Sequence, residues 1–592
     1  MKASLRASVD ASTIARGLAV ALACVSALAS GDGAAQAEPP AELPQLAIRL
    51  TPGGVGSDGN PSWIDVATTF PADVAVGEPF LRTPVKFAGV SGVEYSNGDL
   101  VVVDDSGSVP IEQTQDDPDA GGFLYWRRWT AGRPVNGEVE LRYRAPIRLM
   151  TPRLGAGPPF DVRPQGGGLS GAMNTFLIMP DTERPFMIDI AWELDALAEG
   201  SIGVTSFGQG HTRSPGTVDR LIATFIMAGP LGRFPRNEQE SSFYGYWIGE
   251  PAFDAYELLE WSQRAYEMVA GFFRDTDPPA YRVFLRGNPY PGGGGSALMN
   301  SYLLSYPDAQ TNATELRETI THETVHNWIS GIGGPPGTTS WFSEGMTVHV
   351  TRELLFRNGL FSAQEFLDSV NETAAAYYAN PLNRLPNDEI AAGFWQDVRI
   401  RRLPYVRGSL YFADVDAKIR DRSGGERSLD DLALEIVESQ RSGEETTADT
   451  WRRLITDELG PAGAEGFDAM LAGELVVPPS NAFGPCFERR PTPLRPFELG
   501  FDQRSLTEPP RIVSGVVPGS AAARAGLENG DVLIEPVPLY EVQNEPEAML
   551  TLEIRRAGKV LEIEYQPRGE PMDGYQWFHR ASVAGDHCES AT

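Results

Sequence analysis

Hydrophobic and polar residues alternate along much of the stretch from about 45 to 230, and this two-residue period, broken by turn residues, predicts β-strands. The clearest runs are 93–104, with Ser96-Asn97-Gly98 as a turn, 137–144 and 185–194. Gly166-Gly167-Gly168 and the prolines of 152–164 read as a long loop within this β-rich region. The period then becomes helical, with Leu258, Trp261, Ala265, Met268 and Phe272 on one face of a segment from about 253 to 274. A short strand at 281–286 leads into the glycines of 292–295. A second helix is expected to begin at 311–314, with Glu315 and Glu318 favouring the positive end of its dipole, and to stop at Gly331. Helical spacing continues to about 475, and Ser428 can cap one of these helices with Asp431 three residues on. Six prolines between 478 and 496 mark a semi-rigid linker. Beyond them lies a small module of short strands ending in a hairpin, 550–565, turned by Ala557-Gly558-Lys559.

With 592 residues the chain exceeds a single core, and about 100–200 residues per domain gives three or four domains. Lys2, Arg6 and Arg16, an apolar run over 17–29, and Ala35-Gln36-Ala37 follow the order of a secretory signal peptide, with cleavage expected after Ala37. Lipoprotein anchoring at Cys24 is the rival reading, but Ala21-Leu22-Ala23 is a poor lipobox and the apolar run continues past the cysteine. No later segment approaches ~20 uninterrupted apolar residues, so no membrane span and a periplasmic or secreted protein are expected. A net charge of -31 argues against nucleic acid or an anionic membrane as partner. The remaining cysteines, Cys486 and Cys588, can pair in an oxidising compartment or stay as thiols; neither has metal-ligand spacing around it.

The chemistry is concentrated in His322-Glu323-Thr324-Val325-His326. On a helix, histidines at i and i+4 project from one face, so both imidazoles reach one ion while the adjacent glutamate faces its water. Six histidines in the chain make a chance match of this kind rare, though an amphipathic helix with ordinary histidines is the bland alternative. Hydrolysis at zinc needs a third protein ligand and an open fourth position, and Glu344, in Trp341-Phe342-Ser343-Glu344-Gly345, is placed to supply the ligand. The reading is one Zn2+ per chain held by His322, His326 and Glu344, with Glu323 as general base. His349 is read as packed and His211 as a loop residue.

These residues carry a family resemblance. His322 to Trp328 (HETVHNW), Trp341 to Gly345 (WFSEG) and Tyr405-Val-Arg-Gly-Ser-Leu resemble the gluzincin metallopeptidases, most closely the glycyl aminopeptidase family, metallopeptidase family 61. The stretch 166–179 (GGGLSGAMNTFLIM) is similar to part of that family's N-terminal domain, and Glu498-Leu499-Gly500-Phe501 with 525–531 resembles the carboxylate-binding loop and the helix-to-strand segment of PDZ domains. The resemblance implies a multidomain α+β fold: β-rich N-terminal domain 38–235, thermolysin-like zinc catalytic domain 236–350, helical domain 351–477 and PDZ domain 497–570, set between the signal peptide 1–37 and a tail 571–592, with the linker at 478–496. It also implies that Tyr405 stabilises an oxyanion, a role commonly worth ~10² to 10³ in rate. Leu499, Gly500 and Phe501 would receive a C-terminal peptide, or the module would only pack against its neighbour.

Aminopeptidases of this clan grip the substrate's α-amino group with a glutamate beside a glycine-rich strand end, and no glutamate occurs from 287 to 314. Gly293, Gly294 and Gly295 can still admit a substrate backbone, so exo- and endo-action stay open. The gap between His326 and Glu344 holds 17 residues, where the related leukotriene-hydrolase-like aminopeptidases usually have 18; the glycine- and proline-rich 331–339 loop can absorb the difference. Peptides or proteins are the expected substrates. The alternative function is a PDZ-bearing peptide binder with an inactive peptidase-like domain.

Overall fold

The computed structural model describes residues 43–118, 124–147, 158–237, 240–288, 294–307, 311–335, 337–394, 397–507, 510–534, 537, 542 and 547–580. The expected signal peptide, Cys24, Gly293 and Cys588 lie outside them. The described chain is α+β, with strands in its N-terminal part and helices following.

Alternation in sequence becomes alternation of burial. In Trp63–Val74 the residues Ile64, Val66, Thr68 and Phe70 point inward while their neighbours face outward. This strand lies near the middle of a seven-stranded sheet, antiparallel to both Gln45–Gly53 and Val135–Pro146. Three five-stranded sheets share its hydrophobic core. Two expectations change here. In 93–104 only Leu100–Asp104 is a strand, because Ser96 and Asp99 form a capping box around a 3-10 turn at Asn97–Asp99. The glycines at 166–168 are no long loop. Arg163–Gln165 and Gly168–Ala172 pair as a hairpin, and Gly166 and Gly167 take the positive φ that its tight turn requires.

A five-stranded sheet carries the central region, in the order Gly232–Phe234, Phe243–Trp247, Tyr281–Asn288, Ser301–Pro307 and Gly294–Leu298. Its middle strands run parallel and Gly294–Leu298 is an antiparallel edge. The first amphipathic helix is Ala255–Phe272. The division expected at 235 therefore separates two paired strands, and the one at 350 falls inside the helix Ser340–Arg357.

The chain forms two compact units: the described residues to Tyr266 with Thr276–Glu323, and Glu267–Asp275 with the described residues from Thr324. In the second, helices run to Leu471, and Ser428 caps Leu429–Arg441 through the expected box with Asp431. The proline-rich segment differs from expectation. It contains a strand, Phe487–Leu494, paired with Met572–His579 from the expected tail. Pro491 and Pro493 stand opposite Tyr575 and Asp573 in this ribbon. The hairpin of the last module is Leu550–Arg556 with Lys559–Tyr565, turned at Ala557 and Gly558, both with positive φ.

Candidate metal centre

The motif helix is Arg317–Val325, entered through a 3-10 turn at Thr314–Leu316. It ends well before the expected Gly331, and His326 sits in the turn that follows. Asn327 and Trp328 donate from their backbones to Thr324 and Val325, and the Asn327 amide also donates to the Thr324 carbonyl at 2.7 Å. These bonds satisfy the helix's last carbonyls. The indole of Trp328 donates to Asp275 at 2.9 Å and stacks on Phe273, which anchors the turn.

His322, His326 and Glu344 each offer one ligand atom, and these atoms lie within 4.8 Å of one another. His322 and Glu344 are buried. His326 Nε2 is 3.4 Å from Glu344 Oε2, while its Nδ1 is 3.1 Å from the Ile329 carbonyl. A carbonyl only accepts, so Nδ1 is the donor there and Nε2 is the ring atom turned to Glu344, the orientation a metal-binding histidine needs. Two imidazoles and a carboxylate in a largely buried setting fit zinc. The group can hold a metal ion.

Glu344 comes from the helix Ser340–Arg357, whose Trp341 is packed against Phe412 and Phe467. Tyr405 is nearly buried in the first turn of Leu403–Ser423, just after Pro404. These helices cross at Gly345 and Gly408. A Cβ on Gly345 would lie 2.5 Å from Gly408 Cα, and one on Gly408 would overlap the Trp341 carbonyl. Two glycines quoted above only as parts of motifs thus allow backbone contact between the Glu344 and Tyr405 helices.

Glu323 is buried, and the Tyr281 hydroxyl donates to its backbone carbonyl at 3.3 Å. Gly294 and Gly295 lie on the antiparallel edge strand, and the space beside Gly295 is filled by Tyr302. Sequence reasoning passed over Tyr281 and Tyr302; alternate tyrosines in apolar strands look like core, and only strand register brings them to the motif helix.

His349 stands apart from the metal group. It is buried, and burial followed by Arg352, Arg420 and Arg357 holds its pKa well below the ordinary value, so it is neutral. His211 is exposed, with Nε2 at 2.7 Å from Asp189. Cys486 is buried and disulfide-bonded. Leu499 and Phe501 enter the core of the last module, while Gly500 between them takes φ +84° against Ser520 and Ala522. Tyr565 donates to the Leu499 carbonyl and Val517 to that of Gly500. Among the described residues no helix is long and apolar enough to cross a membrane.

Among solved structures, an aminopeptidase N family protein from Idiomarina loihiensis superposes with a TM-score of 0.67 at 15% identity, covering 92% of this chain and 100% of that one. The chain shares that fold. The M1 zinc metallopeptidase from Deinococcus radiodurans, in a variant bound to a Tyr-Ser-Ala substrate, matches at 0.44 with 16% identity over 74% of this chain and 95% of its own. Native yeast LTA4 hydrolase matches at 0.44 with 11% identity over 73% and 67%. The overlap with these two is partial, and the aminopeptidase N fold of this chain rests on the first. No protein-family model matches the sequence, and no curated protein matches it.

Proposed function

We propose that the chain is a secreted, zinc-dependent metallopeptidase of the gluzincin kind. The observation that carries this is the convergence of His322, His326 and Glu344 donor atoms within 4.8 Å of one another. Those three residues would hold one Zn2+ per chain. When bound, the metal supplies Lewis acidity and a water whose pKa falls towards ~7.

The chain's own residues do the rest. Glu323 takes the water's proton and returns it to the leaving amine, which costs less when base and acid are one carboxylate. Tyr405 donates from its hydroxyl to the oxygen that gains charge, a contribution of ~10² to 10³ in rate. The edge strand Gly294–Leu298 offers its free backbone side to an extended peptide, and its glycines let that peptide approach closely. The HETVHNW, WFSEG and YVRGSL segments support a reading closest to the glycyl aminopeptidases. The module 497–570 is proposed as a PDZ domain with Leu499, Gly500 and Phe501 in its carboxylate loop.

Glu323→Gln keeps every ligand and removes the base. Metal analysis of this variant should still find one zinc per chain while peptide hydrolysis is lost; cleavage that survives refutes the mechanism. A wild-type protein without zinc after chelator-free purification would favour the peptide-binding alternative. N-acetylated and free peptides, compared at equal concentration, separate endopeptidase from aminopeptidase action.

A further inference from the structure

One face of the five-stranded sheet looks towards the motif helix and holds a tyrosine that no step above uses. Tyr281 marks this face, because its hydroxyl donates to the Glu323 carbonyl. Side chains alternate along a strand, so Val283 shares the face, and Val283 stands opposite Tyr302 in the parallel register. Tyr302 therefore shares it too. In the antiparallel direction Tyr302 faces Ala297, and Gly295 on the same face leaves room for its ring: a Cβ at 295 would overlap the phenol hydroxyl.

Tyr302 is fully buried, and its Oη has no hydrogen-bond partner among the described residues. Phenylalanine would fill the same volume without stranding a buried hydroxyl, so packing does not account for a tyrosine here. The charged group whose field reaches this phenol is Glu323. Burial first, then that carboxylate and Tyr281, raise the phenol well above its ordinary pKa, so its hydroxyl keeps a proton to donate.

Resting on the reading of Glu323 as base, we propose that Tyr302 is a positioning residue that donates to the Glu323 carboxylate once metal and peptide are bound, fixing the orientation in which it takes and returns the proton. Catalytic hydrogen bonds of this sort commonly tighten only in the substrate complex.

Tyr302→Phe in the zinc-loaded full-length protein tests it. The kcat should fall roughly 10- to 100-fold, the scale of a lost charge-assisted hydrogen bond, with KM, zinc content and Tm unchanged or Tm slightly raised. An unchanged kcat, or a loss that follows Tm and zinc content, overturns the proposal. A crystal structure with zinc and a hydroxamate peptide analogue gives a second readout. An Oη within about 3.2 Å of the Glu323 carboxylate supports the role, and a hydroxyl bonded elsewhere refutes it. A wild type that binds zinc yet cleaves no peptide defeats the peptidase reading and this proposal together; full-rate cleavage by Tyr302→Phe defeats the proposal alone.

Discussion

Two buried titrating residues nine and five positions beyond Glu344 pull stability in opposite directions. Burial, and then the nearby Asp416 carboxylate, raises Glu353 from 4.5 to about 7, against the pull of Arg420 and Arg357. Between those values the native state keeps a proton that the unfolded chain releases. Its stabilising contribution therefore falls as pH rises through that window and is lost above about 7. His349 has the opposite sign. Its native pKa is held well below 6.5, so as pH falls through 6.5 the unfolded chain gains a proton the native state refuses, and stability declines. Glu353→Gln keeps the neutral shape and should raise Tm at pH 8 by on the order of 1–2 °C while leaving pH 5 nearly unchanged. Thermal unfolding of both proteins from pH 5 to 9 checks this, and a difference independent of pH would rule it out. At this scale the sequence showed His322, Glu323 and His326 plainly, because their geometry is set within one helical turn. Tyr302 was invisible, since its meaning depends on a strand partner and on the glycine of a third segment.

At the scale of elements, local signals located helices and strands well and their ends less well. The capping box at Ser428 was legible, because a side chain three residues away completes it. The end of the motif helix was not; backbone bonds at Thr324 and Val325 close it early, and no glycine or proline announces that turn. The crossing of Ser340–Arg357 with Leu403–Ser423 shows what residue types cannot say alone. Gly345 and Gly408 meet only because two segments far apart in sequence pack together, and each would be an ordinary weak helix residue elsewhere. Gly408→Ala should push these helices apart, costing about 1–3 kcal/mol. Zinc affinity and activity should fall together, since the displaced helix carries Glu344. Urea unfolding and metal titration measure both; unaltered zinc affinity would show that the crossing does not position the ligand.

At the scale of the whole molecule, the net charge of -31 is its most general property. A negative field draws cationic peptides and is screened over ~8–10 Å at moderate salt. The kcat/KM for a lysine-rich peptide should therefore drop several-fold between about 20 and 500 mM salt, with a neutral peptide of equal length little affected. Equal salt dependence for both would remove electrostatic attraction from the account. Sequence alone determined the strand-then-helix order of an α+β chain, the two-residue and helical periods, and the spacing of His322, Glu323 and His326. These are local quantities, fixed by spacing along one strand or helix. Tertiary structure decided which distant residues meet: Glu344 against His326 across a 17-residue gap, glycine against glycine between helices, Tyr302 beneath Gly295, and a proline-rich segment paired with the expected tail. Long-range pairing depends on register and close packing, where one residue's slip turns every side chain to the other face, so a single sequence read along its length does not contain it in legible form.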